Sequence, residues 1–356
     1  MKHKKQQKND SIKDIYLEAF MTFKNIFLND SIPPVNENDL QIHFSRSTYT
    51  LGLYSTLDWQ HINTINIIRK KIEHYYLDKS LKRPLNFMLI SEPGLGKSFF
   101  IKCLAERMKS KGIEAVTYNM SSLQNNDDLI HPLDSIRNLK VRDIIPILFL
   151  DEFDSHPEKI SILLPLLWDG EFHFTSRDIK LGKVIIILGG SNYELMSLRF
   201  QESDSGIFPL KTWDLFSRIN GGFFEIPSLE LVKEDRDRRV DKICISISLL
   251  KQRFGKNLQI IPWSILKFIG NTKFKFGVRS IAHLVDLIPH PKNFTSFIDS
   301  SDLILPISSL DELKESSLFY HISLDQNLQE IINLWKNIKN INAKIRISSP
   351  EENEFI

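Results

Sequence analysis

The stretch Ser91-Glu92-Pro93-Gly94-Leu95-Gly96-Lys97-Ser98 gathers two glycines, a lysine and a hydroxyl in one short segment. An apolar run, Phe87-Met88-Leu89-Ile90, leads into it, and a helical pattern from Phe99 to Ala105 leads out. Strand, glycine-bearing loop and helix start form the context in which successive backbone N–H groups can wrap phosphate oxygens. The helix N-terminus adds partial positive charge there. Lys97 is suited to reach the β and γ phosphates of a nucleoside triphosphate, and the Ser98 hydroxyl to bind Mg2+. Glu92, Pro93, Gly94, Leu95, Gly96 and Phe99 would supply the rest of the cradle. Such loops ordinarily open on glycine. Ser91 stands there instead, and its narrower range of backbone angles predicts a tighter turn or a weaker grip.

Further along, the apolar run Leu148-Phe149-Leu150 ends in Asp151-Glu152. Carboxylates at the carboxyl end of a buried parallel strand lie at the ligand edge of the sheet. There Asp151 would hold the Mg2+ shell and Glu152 would orient and deprotonate an attacking water. Another apolar run ends in Gly189-Gly190-Ser191-Asn192, whose amide could help place that water or could simply cap a helix. Arg218, in Asp214-Leu215-Phe216-Ser217-Arg218-Ile219, reads equally as a surface ion pair or as a cation offered to a neighbouring subunit's phosphate. Arg279, in Gly277-Val278-Arg279, reads equally as a solvated helix start or as a phosphate contact from a second domain.

The elements that must position these residues alternate. Strands are expected at 85–90, 114–118, 144–150, 183–188 and 222–226, with helices at 98–109, 127–139, 159–167 and 210–219 between them. Pro146 makes Ile147 the expected first well-paired residue of its strand. Pro132 and Pro165 weaken two of the helices, and Pro209 suits a helix start. The alternation, with strands apolar throughout, argues for an α/β fold: a parallel sheet flanked by helices. Two helices, 12–27 and 59–76, come before it. After Pro227 the pattern is helical alone, at 235–254, 262–270 and 278–287, and a last helix is expected at 325–338. These changes divide the chain into an N-terminal extension (1–58), an α/β core (59–228), a helical lid (229–290) and a C-terminal segment (291–356).

Taken in order, these motifs resemble those of the AAA+ ATPases, over about residues 60 to 290. Gly94, Gly96, Lys97 and Ser98 match the Walker A loop of that P-loop NTPase family, and Asp151 and Glu152 match Walker B. Asn192 matches sensor 1, Arg218 the arginine finger and Arg279 sensor 2. The phrases Leu148-Phe149-Leu150-Asp151-Glu152-Phe153-Asp154 and Trp168-Asp169-Gly170-Glu171-Phe172 look like those of stand-alone bacterial members. The resemblance implies ATP hydrolysis with Mg2+ in a homo-oligomeric ring, commonly a hexamer, with the active site shared between neighbours and a rotating helical lid. It implies remodelling of a protein or protein–nucleic acid partner, or, as an alternative, an ATP-gated scaffold that hydrolyses slowly and recruits an effector. The segment Asn119-Met120-Ser121-Ser122-Leu123 lacks the aromatic-apolar-glycine triplet of substrate-threading pores, which argues against processive unfolding.

Bulk properties narrow the field further. A chain of 356 residues with 42% hydrophobic and 25% charged residues is ordinary for a globular protein of about two structural units. A net charge of +2 gives no global field toward nucleic acid or anionic membrane. The basic start, Lys2 to Lys8, and Lys273 with Lys275 are all that a DNA-acting role could use. No apolar run has the length of a membrane span, and the two cysteines, Cys103 and Cys244, give no disulfide framework. A cytoplasmic setting is expected. His156, His173, His283, His290 and His321 show no ligand spacing with cysteine, and the mixed-sign run from Glu234 to Arg239 reads as a solvated face.

Overall fold

A computed structural model describes residues 2–29, 41–42, 49–142, 144–156, 159–173, 178–193, 212–233, 236–255, 257–291 and 297–347. The chain forms two compact units, one continuous (Asn63–Pro227) and one discontinuous (Met1–Ile62 with Ser228–Ile356).

In the continuous unit five strands, β1 (Leu85–Ile90), β2 (Ile113–Asn119), β3 (Ile145–Asp151), β4 (Ile185–Gly190) and β5 (Gly222–Glu225), pair in parallel in the order β5-β1-β4-β3-β2. The three central strands are apolar on both faces because helices cover both. Met88, Ile90, Leu148, Leu150, Ile186 and Leu188 share one face with Leu133, Ile136, Leu163, Leu166 and Leu215 from three helices. The helix Lys97–Met108 packs against β2 and β3, with Phe100, Ile101, Leu104 and Met108 buried. Each such side chain contributes roughly 1.5–3 kcal/mol by leaving water. Pro146 is tolerated because strand pairing is asymmetric there. Toward β4 the register starts at Ile147, as expected, but toward β2 it already runs from Ile145, with Pro146 opposite Glu114.

Among the described residues the helices of this unit are Lys97–Met108, Ile130–Val141, Ile160–Asp169 and Thr212–Ser217, and the helix Trp59–Leu77 runs into it from Asn63 onward. Pro132 sits in a first turn, where its missing N–H costs nothing, and Pro165 lies within the helix Ile160–Asp169. Asn86 anchors the far end of that helix: its Nδ2 donates to the Leu167 carbonyl at 2.6 Å and to the Arg218 carbonyl at 2.8 Å. A hairpin of Glu171–His173 and Asp178–Lys180, which periodicity did not reveal, follows the helix. Pro209 lies outside the described residues.

The discontinuous unit is dominated by helices: Lys2–Phe23, Arg239–Phe254, Trp263–Asn271, Gly277–Leu287, Leu310–Glu315 and Leu328–Ile338. The expectation of helices alone after Pro227 is corrected here. Ile260–Pro262 and Lys344–Ile347 pair antiparallel, Gln41–Ile42 adds a parallel strand, and a two-residue ladder joins Val232–Lys233 to Arg236–Asp237. These strands are too short for a period of two to show. The first helix passes into a π-turn, Lys24–Leu28. Its last carbonyls are capped from one face of the helix Trp263–Asn271: Trp263 Nε1 donates to Ile26 at 3.2 Å, Asn271 Nδ2 to Phe27 at 2.6 Å, and Lys267 Nζ to Asn29. The Tyr49–Leu51/Tyr54–Thr56 hairpin is tied to the helix Arg239–Phe254 by buried charge. Arg238 pairs with Asp58 at 3.0 Å and Asp241 at 3.2 Å, and Asp241 accepts from Thr56 Oγ1 at 2.8 Å and the Leu57 N–H at 3.0 Å. Cys103 and Cys244 are both buried.

Candidate functional site

The carboxyl ends of β1, β3 and β4 meet in register. Leu89 and Asp151 both lie opposite Gly189, and Ile90 lies opposite Gly190. The chain leaves β1 for the far edge of the sheet and returns to its other side for β5, so this edge holds the crevice where α/β folds bind ligands.

From β1 the loop 91–96 turns into the helix that starts at Lys97. Gly94 and Gly96 take φ values of 84° and 87°, which side chains with a Cβ resist, so the glycines stand where the cradle needs them. Leu95 is buried and pins the loop's middle, while Glu92 and Pro93 are exposed. Ser91 is fully buried without a left-handed backbone. Its side chain has a task instead. Lys97 is only 9% exposed, and its ammonium donates to the Ser91 carbonyl at 3.1 Å and meets Ser91 Oγ at 3.3 Å. Ser91 thus holds the lysine of its own loop.

One residue on, Ser98 Oγ donates to Asp151 Oδ2 at 2.6 Å, joining the loop to the tip of β3. Glu152 follows at φ 54°, the one non-glycine residue with positive φ among those described, and its N–H donates to Asp151 Oδ1 at 3.1 Å. That conformation costs of order 1 kcal/mol or more, and such strain concentrates at functional positions. It leaves the Glu152 side chain exposed while Phe153 turns into the core. A hydroxyl and a carboxylate, both hard oxygen donors, fit Mg2+, and the loop's glycines leave its backbone open to phosphate.

Asn192 leaves β4 beside this tip. Its N–H and that of Ser191 both donate to Asp154 Oδ2 at 2.7 Å. Sequence reasoning quoted Asp154 without giving it a part. The available signal was a third carboxylate two residues beyond Glu152. Gly189 and Gly190 permit the close approach: a Cβ on the first would meet the Phe149 ring at 2.6 Å, and one on the second Phe153 at 2.8 Å. Tyr193, also missed, bonds the Glu92 backbone; burial and the nearby carboxylates of Glu225 and Glu92 push its phenol up to about 12.

Lys97, Ser98, Asp151, Glu152 and Asn192 thus gather at one sheet edge. Arg218 follows the helix Thr212–Ser217 and turns to its own unit. Its Nη1 donates to the Leu164 carbonyl at 3.0 Å, and its guanidinium lies 5.7 Å from the Trp168 ring centroid, which Arg83 approaches at 4.2 Å. Arg279 belongs to the discontinuous unit, exposed in the first turn of the helix Gly277–Leu287.

Residues 87–197 match the family described as "ATPase family associated with various cellular activities (AAA)". No curated protein matches the chain. Among solved structures, it is similar to NtrX from Brucella abortus in complex with ATP, at 20% identity and a TM-score of 0.44, covering 65% of this chain and 53% of that one. It is similar also to NtrX from the same organism in complex with ADP, at 18% identity and a TM-score of 0.44, covering 76% and 58%. The chain thus spans little more than half the length of either. The matched segment runs from within β1 through β3 to just past β4, so it contains the phosphate loop, both acidic residues at the tip of β3 and Asn192. Residues 87–197 are thus similar to the AAA family of ATPases, and they lie on the parallel sheet that carries the site.

Proposed function

We propose that this protein binds ATP with Mg2+ and hydrolyses it, driving the remodelling of a protein or protein–nucleic acid partner in a homo-oligomeric ring, a hexamer by preference. The observation that carries the reading is the 2.6 Å contact between Ser98 Oγ and Asp151 Oδ2. It joins the phosphate loop to the acidic strand tip, where a terminal phosphate and its metal need both.

In this reading the backbone of residues 92–99 and the Lys97 ammonium bind and orient the triphosphate. Ser98 and Asp151 would hold Mg2+, which when bound neutralises phosphate charge. Glu152 accepts the proton of the attacking water, and Asn192 orients that water. Arg218 would be offered to a neighbouring subunit's phosphate and Arg279 would contact phosphate from the lid, residues 229–290. Remodelling without threading is supported by Asn119–Leu123, where Met120 and Leu123 are buried and only Ser121 and Ser122 among the middle residues face outward. No helix among the described residues is long and apolar enough to cross a membrane, and a cytoplasmic setting is part of the proposal.

The test is turnover by the purified protein with ATP and magnesium. Glu152→Gln is expected to bind ATP yet lose phosphate release by about 10²-fold or more. Equal, slow release by wild type and variant would sink the enzyme reading. A second reading, an ATP-gated scaffold with slow hydrolysis, is favoured by the hold of Ser91 on Lys97. Sizing the protein with and without ATP separates them: assembly with ATP but negligible turnover, unstimulated by any partner, selects the scaffold.

A further inference from the structure

Asp154 lies in the short 3-10 turn Phe153–Ser155, and the left-handed conformation of Glu152 redirects the chain into that turn. One of its carboxylate oxygens accepts the N–H groups of two consecutive residues, Ser191 and Asn192, both at 2.7 Å. Bonds from backbone N–H to an ionised carboxylate are the short, strong kind. Two of them on one oxygen fix the peptide plane between the donors, and with it the direction in which the Asn192 side chain departs. The approach is close: a Cβ on Gly190 would fall 3.0 Å from the Asp154 carboxyl carbon. The same turn therefore sets two things at once, the exposure of Glu152 and the aim of Asn192.

We propose that Asp154 is the positioning residue for Asn192: it ties the exit of β4 to the exit of β3, so that the amide and the Glu152 carboxylate address one water. This rests on the reading in which those two residues act on the terminal phosphate of ATP. Asp154 touches neither nucleotide nor water in this scheme. Its removal should lower turnover while leaving ATP bound, because the phosphate loop is built from other residues.

The experiment measures three quantities on the full chain: affinity for a fluorescent ATP analogue, phosphate release at saturating ATP, and the thermal midpoint. Asp154→Ala is expected to lower turnover about 10- to 100-fold, with affinity changed less than about threefold. Asp154→Asn keeps an acceptor oxygen, so it should recover most of that loss; it also serves as the informative variant if the alanine form does not fold. In an Asn192→Ala background, Asp154→Asn and Asp154→Ala should cost little more, since a positioning residue has nothing left to position. Additive losses in the double variants, or affinity and turnover falling together with no recovery in Asp154→Asn, would make Asp154 a structural staple only and overturn the proposal. Wild type without turnover would instead overturn the ATPase reading itself, and this inference with it.

Discussion

Ser91 shows how one atom can alter a familiar loop. A glycine there would take from the Lys97 ammonium one of its contacts, the serine hydroxyl oxygen at 3.3 Å, in a buried position. In the proposed function a phosphate would share that ammonium, which has three N–H donors, with this oxygen. One hydrogen bond of this kind is worth about 0.5–1.5 kcal/mol net. Ser91→Ala should therefore tighten ATP binding by about threefold or somewhat more, read by titration of a fluorescent analogue. Weaker binding in the variant would mean that the hydroxyl serves the nucleotide and not the lysine.

At the scale of elements, the α/β sheet was largely legible because its strands announce themselves. Val184-Ile185-Ile186-Ile187-Leu188 has no other comfortable state than a strand covered on both sides, and β1 begins and ends where its pattern does. The last strand edges were less legible. Gly189 and Gly190 belong to β4, although glycine reads as a loop, because the packed rings of Phe149 and Phe153 leave no room for anything larger. Of the site, Lys97, Ser98, Asp151 and Glu152 could be found from spacing, since Lys97 and Ser98 close a glycine-bearing loop after one strong strand and Asp151 and Glu152 stand at the end of another. The roles of Asp154 and Tyr193 could not, although Asp154 stands close to Glu152 in sequence, because they depend on contacts with backbone far away in sequence. The hairpin at Tyr49–Thr56 was hidden for a related reason: buried charge holds it, and no apolar alternation marks it.

That hairpin carries a measurable pH dependence. His61 is buried beside Arg238, and its Nε2 meets Tyr54 Oη at 2.6 Å. Burial first, then the Arg238 charge, lower its pKa from the ordinary 6.5 to about 3. Below pH 6.5 the unfolded chain takes up a proton that the folded protein refuses until about pH 3. The stability contributed by neutral His61 is thus full above 6.5 and is lost across that window as pH falls. The slope approaches about 1.4 kcal/mol per pH unit. Urea melts between pH 7 and 4 should become flatter in His61→Gln than in wild type, and equal slopes would refute this origin.

The molecule as a whole is one unit inserted into another. Residues 63–227 follow one another without interruption, whereas the other unit joins segments from either side of them. Order of synthesis therefore matters. The α/β unit has all its strands once residue 227 has been made, but Thr56, Asp58 and Ser55 must wait for Arg238, Asp241 and Ser248. At about 5–20 residues per second that wait lasts on the order of ten seconds or longer on the ribosome. A fragment ending at residue 227 should yield a protease-resistant piece trimmed back to about residue 63. Residues 63–227 would then fold first, and the segment that precedes them would find its place only after residues beyond 227 have been made.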